Sequence, residues 1–138
     1  MSALRRSASI ARLAVEGQKL MQKHRAALSE IEKRFGVPGS VVLAIWGRET
    51  AFGRHRLPHY AIRALATQAY LGRRKELFRN ELIHALKMLE ARVISVPEMR
   101  ASWAGAMGLV QFMPSEYFPL AVDLDGDHPA HHRQEREG

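Results

Sequence analysis

The chain has 138 residues, room for one domain with a packed core. Its 46% hydrophobic and 25% charged residues exclude a disordered or fibrous class, and no apolar run reaches the length of a membrane span. The absence of cysteine removes disulfides, thiol nucleophiles and thiolate metal sites, while a formal net charge of +7 points to an anionic partner: nucleic acid, an acidic membrane surface or a carboxylate-bearing polymer.

In chain order, Arg5 and Arg6 precede a weakly apolar stretch that Arg12 and Glu16 interrupt, so no export signal is read at the start. From Ser9 to Phe35 the positions Ile10, Leu13, Ala14, Leu20, Met21, Leu28, Ile31 and Phe35 follow three-four spacing. They predict one amphipathic helix, with Gly17 as its weak point. Gly36 reads as a stop and Pro38 as the first-turn residue of a second helix ending near Thr50. Six apolar residues in a row, Val41 to Trp46, predict that this helix is apolar all round and buried.

Glu49 stands in the last turn of that helix, bracketed by Gly47 and Gly53. Poor solvation and the negative end of the helix dipole both oppose ionisation, which would push the carboxyl toward a proton donor at neutral pH. The competing reading is a buried ion pair with Arg48, Arg54 or Arg63. Arg54, His55, Arg56 and His59 form a basic loop that suits an anionic substrate group or a plain solvated turn.

Ala61 to Leu71 is a predicted third helix, stopped by Gly72, and Lys75 to Ala91 a fourth, with Leu77, Phe78, Leu82, Ala85, Leu86 and Leu89 on one face. Ser95 and Glu98 have capping-box spacing and predict a short helix starting there. In Ser102 to Ser115, SWAGAMGLVQFMPS, small residues allow close backbone approach, and Pro114 and Ser115 restart a helix carrying Tyr117, Phe118 and Leu120. No strand-period alternation is visible, so the fold class is all-α. Before Asp123 the chain has no aspartate, and its glutamates other than Glu49 read as solvated or as helix starts. Paired-carboxylate glycan cleavage therefore lacks its second acid, which favours one residue acting as acid and then as base.

GRETAFG, AIRALATQAYLGRR and SWAGAMGLVQFMPS, in this order and at these separations, resemble the membrane-bound lytic murein transglycosylase B family of bacterial cell-wall enzymes. The resemblance covers about Gln18 to Asp127. It implies a lysozyme-like helical catalytic domain, incomplete at its C-terminus, over residues 1–127, with a disordered tail over 128–138. It also implies cleavage of the β-1,4 bond between N-acetylmuramic acid and N-acetylglucosamine of peptidoglycan, leaving a 1,6-anhydromuramoyl end. Glu49 matches the family's catalytic acid/base, Ser102, Gln111 and Phe112 match groove-lining positions, and Arg73 and Arg74 match a pair near the peptide-bearing sugar. Core packing competes for Phe112 and Trp103, and a solvated helix start for the two arginines.

The same resemblance implies a periplasmic or cell-envelope location and no required cofactor. Asp123, Asp125 and Asp127 match the first acidic positions of a calcium loop that some members carry. His128 falls where that loop needs glycine, and Gln134 falls on its bidentate position, so the loop reads as vestigial. His128, His131 and His132 belong to a tail whose composition suits disorder. Beyond Asp127 the family continues into helices that close the groove, and before residue 1 it carries a leading segment, so the chain reads as truncated at both ends. A non-catalytic glycan-binding or protein-interaction module is the alternative. Nucleic-acid binding is not expected, because no helix gathers its basic residues on one recognition face.

Overall fold

The computed structural model describes residues 3–124, with side chains from residue 9 onward. Six helices and a two-strand ribbon occur in the order α1 (Ala3–Lys23), α2 (Arg25–Phe35), α3 (Gly39–Thr50), β1 (His59–Tyr60), α4 (Ala61–Leu71), α5 (Lys75–Glu90), β2 (Arg100–Ala101) and α6 (Pro114–Leu120). The chain divides into two compact units, one of residues 1–56 with 109–111, the other of residues 57–108 with 112–138.

In the first unit the predicted long helix is two helices, and the break falls at His24 instead of Gly17. The hydrogen-bond ladder nearly survives it, since His24 N–H donates to Leu20 and Leu28 N–H to His24. Gly17 stays helical because it is a contact point: a Cβ there would lie 3.4 Å from the Phe52 ring. Gly36 ends α2 in the left-handed conformation (φ 69°), as a C-terminal glycine is placed to do.

The third helix corrects the sequence reading most. It is not apolar all round. Gly39, Leu43, Gly47 and Thr50 form its buried row, at spacings of four and three, while Val41, Ala44, Ile45, Arg48 and Glu49 are exposed. The buried row is built of small residues because close approach matters more there than bulk. A Cβ on Gly39 would lie 3.1 Å from Leu28, and one on Gly47 would lie 2.7 Å from the Phe52 ring. Phe52 folds back under its own helix, edge-on to Trp46 at 5.6 Å between ring centres, and Trp46 meets His24 in the same way at 6.0 Å.

The second unit has its core at Ala61, Leu65, Ala85, Met88, Met99, Ala101 and Met107. Its α5 buries Glu81, Ala85 and Met88, with Phe78, Leu82 and Leu89 partly covered, so the inward face is rotated from the predicted one and Leu77 and Leu86 are exposed. The two strands pair antiparallel, His59 opposite Ala101 and Tyr60 opposite Arg100, an addition that no alternating pattern announced. Ser95 and Glu98 do make the capping contacts, Ser95 N–H and hydroxyl both donating to the Glu98 carboxylate, but a turn and then β2 follow instead of a helix. Pro97, inside the predicted first turn, is compatible with either outcome.

Candidate active site

The end of α3 is held by backbone geometry that few sequences tolerate. Ala51, Phe52 and Gly53 have φ of 49°, 59° and 84°, three left-handed residues in succession, of which only the glycine is at ease. Strain of this kind persists only where the surroundings over-determine it. Here Ala51 N–H donates to Gly47 at 3.0 Å and Phe52 N–H to Trp46 at 3.4 Å, closing off two carbonyls of the last turn.

Thr50 supplies the remaining restraint. It is 2% exposed, and its hydroxyl donates to the Leu109 carbonyl at 2.8 Å while accepting from Gly53 N–H at 3.1 Å. One side chain thus fixes the turn after the helix and ties residues 109–111 to it across 59 positions of sequence. Sequence reasoning passed over Thr50. The available signal was a β-branched polar residue three positions after Gly47, on the row that small residues mark as buried.

Glu49, next to this anchor, is exposed, so the expectation of a dry carboxyl fails for this chain. The competing reading fails too. Among the described residues Glu49 has no ion pair, and Arg54 gives its guanidinium to Glu16 at 2.5 Å. Among the described residues the buried glutamate is Glu81, read from sequence as solvated. At 7% exposure it accepts from the Ser115 N–H at 2.9 Å and hydroxyl at 2.7 Å, placing a carboxylate at the start of α6. Glu98 is engaged by Ser95, and Glu116 accepts from Met113 N–H at 2.8 Å. Four of the nine glutamates before Asp123 therefore have structural partners; Glu30, Glu32, Glu76 and Glu90 are exposed.

Of the other sequence candidates, Gln111 shares a unit with Glu49 and has a left-handed backbone (φ 59°). Ser102 and Phe112 belong to the second unit, at the two ends of a tight excursion from β2. The Ser102 oxygen accepts from Ala106 N–H at 3.2 Å, so it braces the turn, and Phe112 exchanges two backbone bonds with Met107 at 2.8 and 3.0 Å. Phe112 and Trp103 are 42% and 64% exposed, which removes core packing as their explanation. Arg73 and Arg74 are exposed in the turn between α4 and α5, with Arg74 as the residue preceding α5.

Asp123 is exposed, and its negative charge contributes to raising the Tyr117 phenol. Asp125 and Asp127 lie outside the described residues, as do His128, His131 and His132. Among the described residues no three metal-type side chains gather. With glutamine at the bidentate position, the donor set does not make a complete calcium loop.

Residues 4–133 match the family model described as Transglycosylase SLT domain. The chain is 37% identical over 112 residues, 80% of its length, to membrane-bound lytic murein transglycosylase B of Escherichia coli (strain K12), of which that match covers 31%. The structure of SltB3 from Pseudomonas aeruginosa in complex with NAG-NAM-pentapeptide superposes with a TM-score of 0.81 at 41% identity, covering 85% of this chain and 31% of that one. Escherichia coli Slt35 in complex with calcium gives 0.79 at 35% identity, covering 84% and 38%. The fold is thus the helical lysozyme-like fold of lytic transglycosylases, and the chain spans about a third of the length of these relatives.

Proposed function

The chain belongs to the transglycosylase SLT domain family, and on that premise we propose that it acts on peptidoglycan as a lytic murein transglycosylase with Glu49 as its single acid and base. The observation that carries this reading is a carboxylate with no ion pair among the described residues, held at the end of α3 by the buried Thr50. Glu49 as the acid protonates the oxygen of the β-1,4 bond between N-acetylmuramic acid and N-acetylglucosamine as that bond breaks. As the base it then takes the proton of the C6 hydroxyl, whose oxygen attacks C1 and closes the 1,6-anhydro ring. The proton is returned and no water is consumed, so one carboxyl suffices. Two carboxylates would be required for hydrolysis by either common route.

A glycan strand seated against α3 displaces water from the exposed Glu49. Ile45 and Val41 lie one and two turns before Glu49 on the exposed face, an apolar row leading to the acid. Ser102, Gln111 and Phe112 are the proposed glycan contacts, and Arg73 and Arg74 the contacts to the peptide-bearing sugar. SltB3, a relative, is described with a NAG-NAM-pentapeptide bound. The proposed location is the periplasm, where this substrate lies, and no step is assigned to calcium.

The test is mass spectrometry of material released from purified sacculi. Fragments ending in anhydromuramic acid are expected. Reducing ends alone would overturn the transglycosylase chemistry. The solvent exposure of Glu49 favours a second reading, a basic module that binds glycan without cleaving it; retention on sacculi without release would select that reading.

A further inference from the structure

Within the first unit, α1 and α3 enclose an open trough of about 890 Å³ whose lining includes neither Glu49 nor the row of Val41 and Ile45. Two contacts set its direction. A Cβ on Gly39, at the start of α3, would lie 3.5 Å from the Met21 sulfur, and one on Gly17 would lie 3.4 Å from the Phe52 ring, just past the end of α3. The two helices therefore run antiparallel, and the trough between them is elongated. The buried Leu43 and Gly47 form its floor, with Leu13, Ala14 and Met21 on the α1 side and Ala44 on the α3 side.

Its charge sits at one end. Arg48 is the single charged residue of the lining, which contains no carboxylate. Among the described residues the one ion pair is Arg54 with Glu16, so Arg48 is not neutralised, and the nearby acid of α1 is already taken. Glu49 follows Arg48 in sequence, but consecutive side chains of a helix do not face each other. Arg48 stands in the last turn of α3, whereas Ser40 and Met21 lie at the opposite end of the trough. An occupant therefore has to supply hydrocarbon along the length and one negative charge at the Arg48 end.

We infer that the trough binds a single-chain fatty acid, its carboxylate paired with Arg48 and its alkyl chain laid over Leu43 and Ala44 toward Met21. One planar guanidinium matches one planar carboxylate in geometry and in charge. A phosphate head would bring about two charges to a single cation. The lengths agree as well. From Arg48 back to Ser40 is about 12 Å of helix, and an extended chain advances about 1.2 Å per bond, so roughly ten to twelve carbons span it. The volume lies inside the range of small-molecule sites, roughly 300–1,000 Å³. The site does not depend on Glu49 and stands whether or not the chain cleaves glycan.

The probe is dodecanoate below its micelle concentration, added to the full chain carrying methyl-labelled methionine. The Met21 methyl reports from the trough, and Met88, in the core of the other unit, serves as reference. Met21 should shift with a Kd of about 0.5 mM, somewhat weaker than the roughly 10⁴ M⁻¹ of a fourteen-carbon chain with a bilayer, while Met88 stays in place. From octanoate to dodecanoate each added pair of methylenes should tighten binding about fourfold, below the full-burial value because the trough is open on one side. Acetate, a head without a tail, and dodecyltrimethylammonium, a tail of opposite charge, should bind at least about tenfold more weakly. Arg48→Gln should weaken dodecanoate about tenfold. Ala44 is exposed, so Ala44→Leu should fold, fill the trough and remove the Met21 shift, whereas Arg12→Gln, on α1 outside the lining, should bind as the parent does. Equal affinity for dodecyltrimethylammonium, no dependence on chain length, or parental binding in Arg48→Gln or Ala44→Leu would each overturn the assignment. So would a concentration-dependent dimer in light scattering whose Met21 dodecanoate does not move, since a second copy would then cover the trough.

Discussion

Replacing Thr50 with valine isolates the anchor that positions Glu49. Valine keeps the shape of the buried side chain and removes its hydroxyl. The Leu109 carbonyl then loses its 2.8 Å donor, at a cost of about 1–2 kcal/mol for a part-buried acceptor left unmet. Gly53 N–H loses the hydroxyl but retains the Thr50 carbonyl at 3.1 Å, so its share is a few tenths, and the sum is about 2 kcal/mol. For a chain of this size that corresponds to a fall in Tm of about 6–10 °C. Thr50→Ser retains both bonds and gives up one buried methyl, at about 1 kcal/mol. Urea unfolding should show a lower midpoint at unchanged slope for valine. Amide exchange at Gly53 and at residues 109–111 should accelerate in Thr50→Val and stay slow in Thr50→Ser. Parental stability and parental exchange in Thr50→Val would refute the role given to the hydroxyl.

Gly105 adopts φ 86°, and a Cβ there would fall 2.2 Å from the fully buried Leu65, so Gly105→Ala should cost about 2–5 kcal/mol by calorimetry; a cost below 1 kcal/mol would contradict the packing described. Trp46 buries its indole nitrogen without a partner among the described residues, so Trp46→Phe should cost under about 1 kcal/mol in urea unfolding, where a larger loss would mean that the nitrogen is satisfied. The Ser95 hydroxyl and N–H hold the Glu98 carboxyl below its ordinary range; a depressed carboxyl favours folding above its unfolded pKa, and that contribution is lost as pH falls through the folded value. NMR titration should show the Glu98 carboxyl moving back up in Ser95→Ala, and no movement would contradict the cause. Burial, then the charge of Asp123, raises the Tyr117 phenol, so its contribution is present below the ordinary phenol pKa and is lost as pH rises through the folded one; Asp123→Asn should lower the Tyr117 midpoint in an alkaline titration, and an unchanged midpoint would remove Asp123 as a cause.

The helices whose ends carry glycine were legible from sequence. Gly36 and Gly72 stop α2 and α4 where expected, because the residue that terminates a helix acts locally. The inward face of α3 was not legible. Val41 to Trp46 read as a buried run, yet the face that packs is set by Gly39 and Gly47, whose lack of a side chain lets Leu28 and Phe52 approach. Hydrophobicity marks what can be buried, and small residues mark where two backbones come close. Glu81 was misread for a related reason. Its partner, Ser115, lies 34 residues away, and no local pattern reports such a contact. Within the site, Glu49 was proposed as the acid from a motif, but the dry surroundings assigned to it rested on the same misreading of α3. The role of Thr50 depends on Leu109, 59 residues on, and becomes apparent only in the folded chain.

The most direct test of the central claim is the rate at which the parent and Glu49→Gln release soluble fragments from purified sacculi, with binding to the sacculi measured in parallel. Glutamine retains the shape and cannot exchange the proton, so release should fall at least about a hundredfold while binding is retained. Equal release by the two proteins would show that the reaction, whatever its product, does not pass through Glu49.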